Sequence, residues 1–482
     1  MASQSTASAL PAPSAAYVVL ISSAAALGGF LFGFDTAVVN GTIVALQNAF
    51  NASSAGVGLS VSLALLASAV GAFAAGPFAD RQGRIRTMLL AALAFLVSAI
   101  GSGIAVGVWD FIFWRSLGGI AVGAASVVAP AYIAEVAPAR MRGRLGSLQQ
   151  LAIVVGIFTA LLSNYLIGRA SGSAEAPFWF GMPSWRWMFW IEALPAALYG
   201  LSALLIPESP RFLVSRGREA EAAAVLARVE RGDVSAKVQE IRRTVNREYR
   251  PRLSDLRGNR LGLLPIVWIG IGLSVLQQLV GINVIFYYST VLWRSIGFTE
   301  ENALLISTIT GITNIVTTLI AIAFVDRFGR KPLLLLGSLG MTLTLGTMAF
   351  LFGSAPVDAA GNPTLTDAGG LVALAAANAF VFFFGFSWGP VVWVLLGEMF
   401  SNRIRGIALA VSAAAQWVAN FGVSLSFPVL TERFGLGLSY GLYTGAAALS
   451  LVFVAYLVRE TKGKELEEMQ DQPPGASAAT AA

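Results

Sequence analysis

Apolar residues in this chain fall in blocks of about 20, the length an α-helix needs to cross a hydrocarbon core roughly 30 Å thick. Twelve blocks are legible: 17–39, 56–78, 87–107, 111–134, 146–168, 187–206, 262–289, 303–325, 332–352, 369–397, 406–428 and 437–458. The pattern predicts an all-α integral membrane protein, six spans on each side of a polar stretch. That division gives a tail at 1–16, a six-helix bundle at 17–206, a helical linker at 207–261, a second bundle at 262–458 and a tail at 459–482. Helix-favouring sequence such as Glu219–Arg231 predicts that the linker is itself helical.

Composition agrees. Of 482 residues 56% are hydrophobic and 12% charged, half the charged share of a soluble domain, which is about 25%. Mean hydropathy is +0.72. The Ala/Ser/Pro-rich start lacks a positive n-region, and the apolar run from Tyr17 exceeds signal-peptide length, so no cleaved leader is expected.

The Lys and Arg residues set the orientation. With both termini inside, inner loops and tails hold Arg81, Arg84, Arg86, Arg140, Arg142, Arg144, 13 residues of the linker, Arg327, Arg330, Lys331, Arg403, Arg405, Arg459, Lys462 and Lys464. The outer loops hold only Arg169, Arg186, Arg294 and Arg433. The net charge of +6 is therefore a topology signal and not a nucleic-acid signal. The linker's basic residues read equally as a solvated loop near anionic lipid. An Arg-rich chain with short tails points to a GC-rich bacterium and its inner membrane.

Some chemistry is excluded. The chain has no Cys and no His, which removes disulfides, thiolates, imidazole shuttles and Ser-His-Asp triads. Gly385-Phe386-Ser387-Trp388-Gly389 matches a nucleophile-elbow pattern but lies inside span ten with no His to act as base. No phosphate-binding loop is present. Neither an enzyme nor a metal or cofactor site is expected; the sequon Asn51-Ala52-Ser53 would be unused in a bacterium.

The halves repeat. Asp80-Arg81-Gln82-Gly83-Arg84 recurs as Asp326-Arg327-Phe328-Gly329-Arg330. Glu135 with Arg142-Gly143 recurs as Glu398 with Arg405-Gly406, and Glu208 after span six has its counterpart in Glu460 after span twelve. Internal duplication of this kind marks transporters whose site lies between the repeats.

These repeats, with Gln277-Gln278-Leu279-Val280-Gly281-Ile282-Asn283, Pro207-Glu208-Ser209-Pro210-Arg211 and Trp388-Gly389-Pro390-Val391-Val392-Trp393, resemble the sugar porter family of the major facilitator superfamily. The likeness runs from Gly28 to Glu468 and leans towards bacterial proton-coupled xylose and glucose symporters. It implies the major facilitator fold, a monosaccharide substrate, protons as the coupled ion and no cofactor.

Ionisable residues inside a membrane are functional candidates. Asp35 in span one, Arg115 in span four and Glu192 in span six qualify. Asp35 and Arg115 read either as a permanent bridge between helices or as a proton switch, in which protonating Asp35 frees the guanidinium. The resemblance favours the switch, because proton-coupled members carry an acid at the Asp35 position. It also implies a coupling role for Glu192, for which an interhelical hydrogen bond is the alternative.

A sugar needs groups that donate and accept without charge, which describes amides. Gln150, Gln277, Gln278, Asn283, Asn314, Gln416 and Asn420 are the amides, and Phe32, Tyr287, Trp393 and Trp417 the aromatic plates. The resemblance places these residues, apart from Asn420, around the sugar together with Gly389. Asn420 joins them because it shares a helical face with Gln416. Each amide alone also reads as interhelical glue. Ile157, on the same face as Gln150, replaces an amide of the xylose symporters, which favours a hexose such as glucose over xylose.

At the inner helix ends, Glu135 with Arg142 and Glu398 with Arg405 are expected to pair. With Arg84, Arg330, Glu208 and Glu460 they would form a gate that closes in the outward-facing state and breaks on opening inward. The expected function is alternating-access sugar/proton symport by a monomer. A facilitator on the same scaffold is the alternative; a sugar receptor or a drug exporter fits less well.

Overall fold

The computed structural model describes residues 14–138, 141–230, 233–247, 253–258, 262–358, 363–401 and 404–462. The sequence-based tails at 1–16 and 459–482 therefore lie largely outside the described residues.

Twelve spans alternate in direction. Spans one to five are Ala15–Ala37, Ser54–Gln82, Arg84–Ile104, Val108–Val136 and Arg142–Ser171. Span six is Ser184–Trp190 continued by Ala193–Leu205, and span seven is Pro265–Leu279 continued by Ile282–Ser295. Spans eight and nine are Glu300–Phe328 and Arg330–Ser354, and span ten is Asp367–Phe386 continued by Trp388–Met399. The last two lie within Arg405–Leu457, broken at Gly435. The Phe427 and Tyr443 rings stack 6.4 Å apart, whereas a straight helix would hold residues 16 apart at about 24 Å. The chain therefore reverses at Gly435. Between spans six and seven run Pro210–Ser215, Glu219–Val229 and Val234–Arg247. The end of the bundle with this linker is called the linker end; Ser14 sits there, its N–H donating to Arg228 O at 3.2 Å. The opposite end is the far end.

Several spans run longer than the apolar blocks, because helices continue past the hydrocarbon into polar loops. The sequence reading also treats spans six and ten as continuous, and both are interrupted. Each break lies before a proline, Pro195 and Pro390, whose ring would clash with the carbonyl four residues earlier, at Ile191 and Phe386. Span one is followed by a short helix, Ile43–Phe50, that the apolar pattern had merged with a loop.

Many large apolar side chains are exposed, among them Phe73, Leu194, Leu205, Phe350 and Tyr456. They ring the outside of the bundle, where lipid is the solvent. Inside, small residues let helices touch. A Cβ on Gly33 of span one would lie 1.9 Å from Ile153 O of span five, and one on Gly156 would lie 2.0 Å from Phe30 O. Two glycines face two backbones at one crossing, the close approach by which small residues drive helix association in lipid.

The buried core forms two clusters. One fills the N-terminal half from Val18 to Tyr199 and runs into the linker at Leu213, Val225 and Leu226. The other merges the C-terminal half with far-end residues of the N-terminal half, including Val38, Ile43, Leu65, Phe111, Leu161 and Trp185. The halves are thus packed together at the far end.

The crossing of spans one and five admits no side chain, so Gly156→Leu is expected to cost at least the roughly 1–3 kcal/mol of core overpacking. Thermal unfolding in detergent should show a clear fall in melting temperature, with Gly76→Ala, a position with open space, as the unaffected control.

Candidate functional site

The centre of the N-terminal half holds a charged cluster. Arg115 Nη1 donates to Asp35 Oδ1 at 2.6 Å, and Nη2 donates to Oδ2 at 3.1 Å and to the Asp35 carbonyl at 2.7 Å. The side chains are 5% and 2% exposed, so this bridge is shielded from water and salt. Arg115 also lies over the Phe189 ring, 5.7 Å from its centroid. Glu192 sits at the proline-induced break of span six, fully buried, facing Asp35 and Arg115. Its carboxyl meets the Asp35 carboxyl of span one within hydrogen-bonding reach, an interhelical contact that becomes a hydrogen bond when one of the two holds a proton. One guanidinium beside two carboxyls has net charge −1 when both are ionised and zero when the cluster holds one proton. Ser98 and Gly118 close the wall, and a Cβ on Gly118 would come 3.0 Å from Asp35 Oδ1.

The amide set lies along the broken helices of the other half. Gly281 has φ +80°, a left-handed conformation that separates the two parts of span seven. A side chain there would also strike the Tyr443 ring at 2.8 Å. The break brings three amides into one chain. Asn283 Nδ2 donates to Gln278 Oε1 at 2.6 Å, Gln278 Nε2 to Gln277 Oε1 at 3.4 Å, and Gln277 Nε2 to Trp388 O at 2.7 Å and Gly389 O at 3.3 Å. Both carbonyls belong to the interrupted turn of span ten. Tyr287, buried on the second part of span seven, pairs with Asn420 of span eleven. Asn420 Oδ1 also accepts from Ser424 at 3.2 Å.

Phe32 and Trp417 meet across the two halves with ring centroids 5.8 Å apart, and Trp417 packs against both core clusters. Gln416 keeps a buried Oε1 with no partner. Gln150 is half-buried and forms no hydrogen bond among the described residues. Asn314 is buried beside Gly385, and Trp393 is 40% exposed. The structure thus gathers Gln277, Gln278, Asn283 and Gly389 into one network and pairs Phe32 with Trp417 and Tyr287 with Asn420. It leaves Gln150, Asn314, Trp393 and Gln416 outside that network.

At the linker end the expected Glu398–Arg405 pairing is corrected, and the expected Glu135–Arg142 pairing involves a side chain outside the described residues. Glu135 takes Arg84 Nη2 at 2.8 Å. Glu398 takes Arg330 through two bonds of 2.7 and 3.0 Å, while Arg405 donates to the Phe400 carbonyl. The preference has a geometric reason. Arg84 and Arg330 open spans three and nine beside Gly83 and Gly329, and the N–H groups of those first turns need acceptors. Glu208 accepts from the N–H of Arg84 and Ile85 at 3.0 and 3.2 Å; Glu460 accepts from those of Arg330 and Lys331 at 3.0 and 2.9 Å. Each half therefore carries one clamp: a helix start capped by a carboxylate from its last span, with the arginine side chain turned to a second carboxylate. Thr461 adds a hydroxyl to Glu398 at 2.6 Å. Both clamps, among the described residues, are internal to their halves.

Cross-half hydrogen bonds and ion pairs among the described residues cluster at the far end. Asn40 Nδ2 donates to Phe286 O and Ser289 Oγ, both at 2.8 Å, and Asn40 Oδ1 accepts from Thr290 N–H at 3.2 Å and from its hydroxyl. Glu300 takes the Ala174 N–H at 2.8 Å, Arg169 faces Glu301 at 3.5 Å, and Thr308 reaches the Leu161 carbonyl at 3.3 Å. The far end is latched by these bonds. Sequence reasoning missed Asn40; the signal was an amide in an apolar span, five residues after Asp35.

The Glu460 clamp has a pH signature. Burial works against its ionisation, but the N–H groups of Arg330, Lys462, Lys331 and Thr461 outweigh it and hold the carboxyl below its ordinary value. A depressed folded-state value stabilises the fold above the unfolded pKa of about 4.3 and is lost as pH falls through the folded value. Glu460→Gln should lower the melting temperature by a few degrees at neutral pH, and the gap from the parent should close below about pH 4.

The chain matches the family model described as "Sugar (and other) transporter" over residues 21–472. It is 65% identical over 454 residues to a glucose transport protein of Synechocystis sp., covering 94% of this chain and 97% of the relative. It is 37% identical over 489 residues to the D-xylose-proton symporter of Escherichia coli, covering 94% and 95%. Among solved structures, the partially occluded inward-open form of the E. coli xylose transporter superposes with a TM-score of 0.80 at 36% identity, covering 94% of this chain and 100% of that one. The proton:xylose symporter bound to 6-bromo-6-deoxy-D-glucose gives 0.75 at 37% identity, covering 94% and 98%. The far-end latch accords with the inward-open likeness. With the duplicated six-span halves, the broken spans seven and ten and the capped helix starts all in place, the chain is a membrane protein of the major facilitator fold and belongs to the sugar transporter family.

Proposed function

We propose that this protein is a sugar/proton symporter that carries a hexose such as glucose, or a related monosaccharide, into a bacterial cell by alternating access. It lies in the plasma membrane as a monomer, with both termini and the linker inside. The observation that carries this reading is the buried Asp35–Arg115 bridge with the Glu192 carboxyl against it, in a chain whose uncharged amides join across the breaks of spans seven and ten.

The geometry supports a cycle. Gln277, Gln278, Asn283 and the Gly389 carbonyl offer donors and acceptors to ring hydroxyls, with Gln150, Asn314, Gln416 and Asn420 completing the wall. Phe32 and Trp417, with Tyr287 and Trp393, give the apolar ring face a surface to stack on. Phe32 lies three residues before Asp35, so a shift of span one alters both the plate and the bridge. A proton on Asp35 discharges the carboxylate, weakens its hold on Arg115 and frees span one from span four. Glu192, set against Asp35, serves as the second proton-handling group. Sugar leaves at the linker end, Asp35 releases its proton there, and Arg115 recaptures the carboxylate. A gradient of 100 mV gives about 2.3 kcal/mol per charge, enough for a roughly 40-fold accumulation ratio. No cofactor enters this cycle.

A facilitator would keep the bridge as a structural strut. Uphill accumulation separates the two. In proteoliposomes with an imposed inward proton gradient, the parent is expected to concentrate labelled glucose well above the external level. Asp35→Asn should only equilibrate or exchange it. A parent that never exceeds equilibrium refutes symport, and failure of both glucose and xylose to move or compete refutes the substrate.

A further inference from the structure

The loop between spans five and six carries the most exposed aromatic group at the far end. Pro177 and Pro183 face each other as an isolated antiparallel bridge. Between them the chain makes a tight hairpin: Phe178 N–H donates to Met182 O at 2.8 Å and Gly181 N–H to Phe178 O at 3.1 Å. Its tip exposes Trp179 (63%), Phe180 (90%) and Met182 (45%). Phe180 has φ +57°, a conformation uncommon for a bulky residue. Such strain persists where the surroundings over-determine it, and here it holds an exposed ring stacked on Trp187 at 6.2 Å.

The hairpin has a firm base. Phe178 and Trp179 stack at 5.2 Å, and Trp187 meets both edge-on at 6.3 and 5.5 Å. The Trp187 indole N–H donates to the Trp179 carbonyl at 3.2 Å. Trp187 packs on Trp190, whose indole N–H donates to Ile100 O of span three. This aromatic stack lies on the flank formed by spans three and six. The cross-half contacts described above come from the stretch between Phe32 and Asn40, from spans five, seven, eight and eleven and from Ala174 at the start of this loop; none of those bonds involves residues 177–183, so the hairpin stands at the perimeter and not over the route between halves.

Continuity with the lipid-facing surface identifies the occupant. Below Trp187 and Trp190, span six exposes Leu194, Leu198, Leu201 and Leu205, a stripe at helical spacing with no polar member. Span six, from Ser184 to Leu205, has 22 residues, about 33 Å of helix, which matches a hydrocarbon core of about 30 Å. With Leu205 at one edge of that core, Ser184 lies at the other, and the hairpin falls in the adjoining headgroup layer. Residues 176–185 contain no charge, which suits the acyl–headgroup boundary, where Trp and other aromatic rings are enriched.

We propose that the Pro177–Pro183 hairpin is a membrane anchor that seats Trp179, Phe180 and Met182 in the phospholipid leaflet at the far end, the outer leaflet in the orientation given above. It would hold the start of span six, and with it the Glu192 break, at a fixed depth while the halves rock.

The chain has no Cys, so Phe180→Cys carries a single thiol for a nitroxide label. Labelled protein, first shown to transport sugar, is reconstituted in phosphatidylcholine–phosphatidylglycerol vesicles. Collision of the label with oxygen, which partitions into lipid, is compared with collision with a water-soluble nickel chelate. Leu198→Cys, facing the acyl chains, and Ser215→Cys, exposed in the linker, set the scale. The anchor predicts a Phe180→Cys label dominated by oxygen, several-fold above the linker reference. Domination by the nickel chelate, as for Ser215→Cys, overturns it by placing the tip in water. Protection from both reagents also overturns it, since the tip would then be covered by protein, either a second copy or a folded-over loop.

Discussion

A buried guanidinium–carboxylate bridge is affordable in this bundle only because its two members satisfy each other through several contacts. Arg115 has Asp35 on two nitrogens, the Asp35 carbonyl as a further acceptor and an aromatic ring beside it. Removing one member of such a pair typically costs about 3–5 kcal/mol, because the other charge is stranded. The same sensitivity makes the pair useful. A proton on the carboxylate removes one charge in place and leaves an arginine in need of a new partner. Structural cost and functional leverage are one property seen from two sides. Glu192 sharpens this, since it sets a second carboxyl against Asp35 at the same point.

The rest of the architecture keeps that leverage directed. Each half is tied internally by its own clamp, in which a glutamate from the last span caps the first turn of the third. The Gly33–Gly156 crossing locks span one against span five. Rigid halves transmit a local change to their ends, and the ends differ. Asn40 and Glu300 tie the halves at the far end, while the two clamps at the linker end each lie within one half. A displacement of span one moves the Phe32–Trp417 contact, Asp35 and Asn40 together, because all lie on one stretch of chain.

Much of this was legible in the sequence. The twelve spans followed from block length, the halves from repeated motifs, and the intramembrane charges from their rarity in apolar runs. The break in span seven was readable from Gly281 because amides on both sides of it could not otherwise share a face. The breaks in spans six and ten were equally encoded, in Pro195 and Pro390, but apolar periodicity alone passes over them. What the sequence could not settle was pairing. Glu135 and Glu398 each had several arginines within reach along the chain, and the choice of Arg84 and Arg330 depends on where helix starts place them in space. Asn40 escaped notice because its partners, Ser289 and Thr290, lie some 250 positions away.

The account turns on Asp35 carrying the coupled proton. The most direct check is the external pH of a weakly buffered suspension of de-energised proteoliposomes when glucose is added. The account predicts a transient alkalinisation with the parent as protons enter with sugar, abolished in Asp35→Asn while glucose exchange persists. Sugar entry by the parent without any pH change, or an alkalinisation that survives in Asp35→Asn, would contradict it.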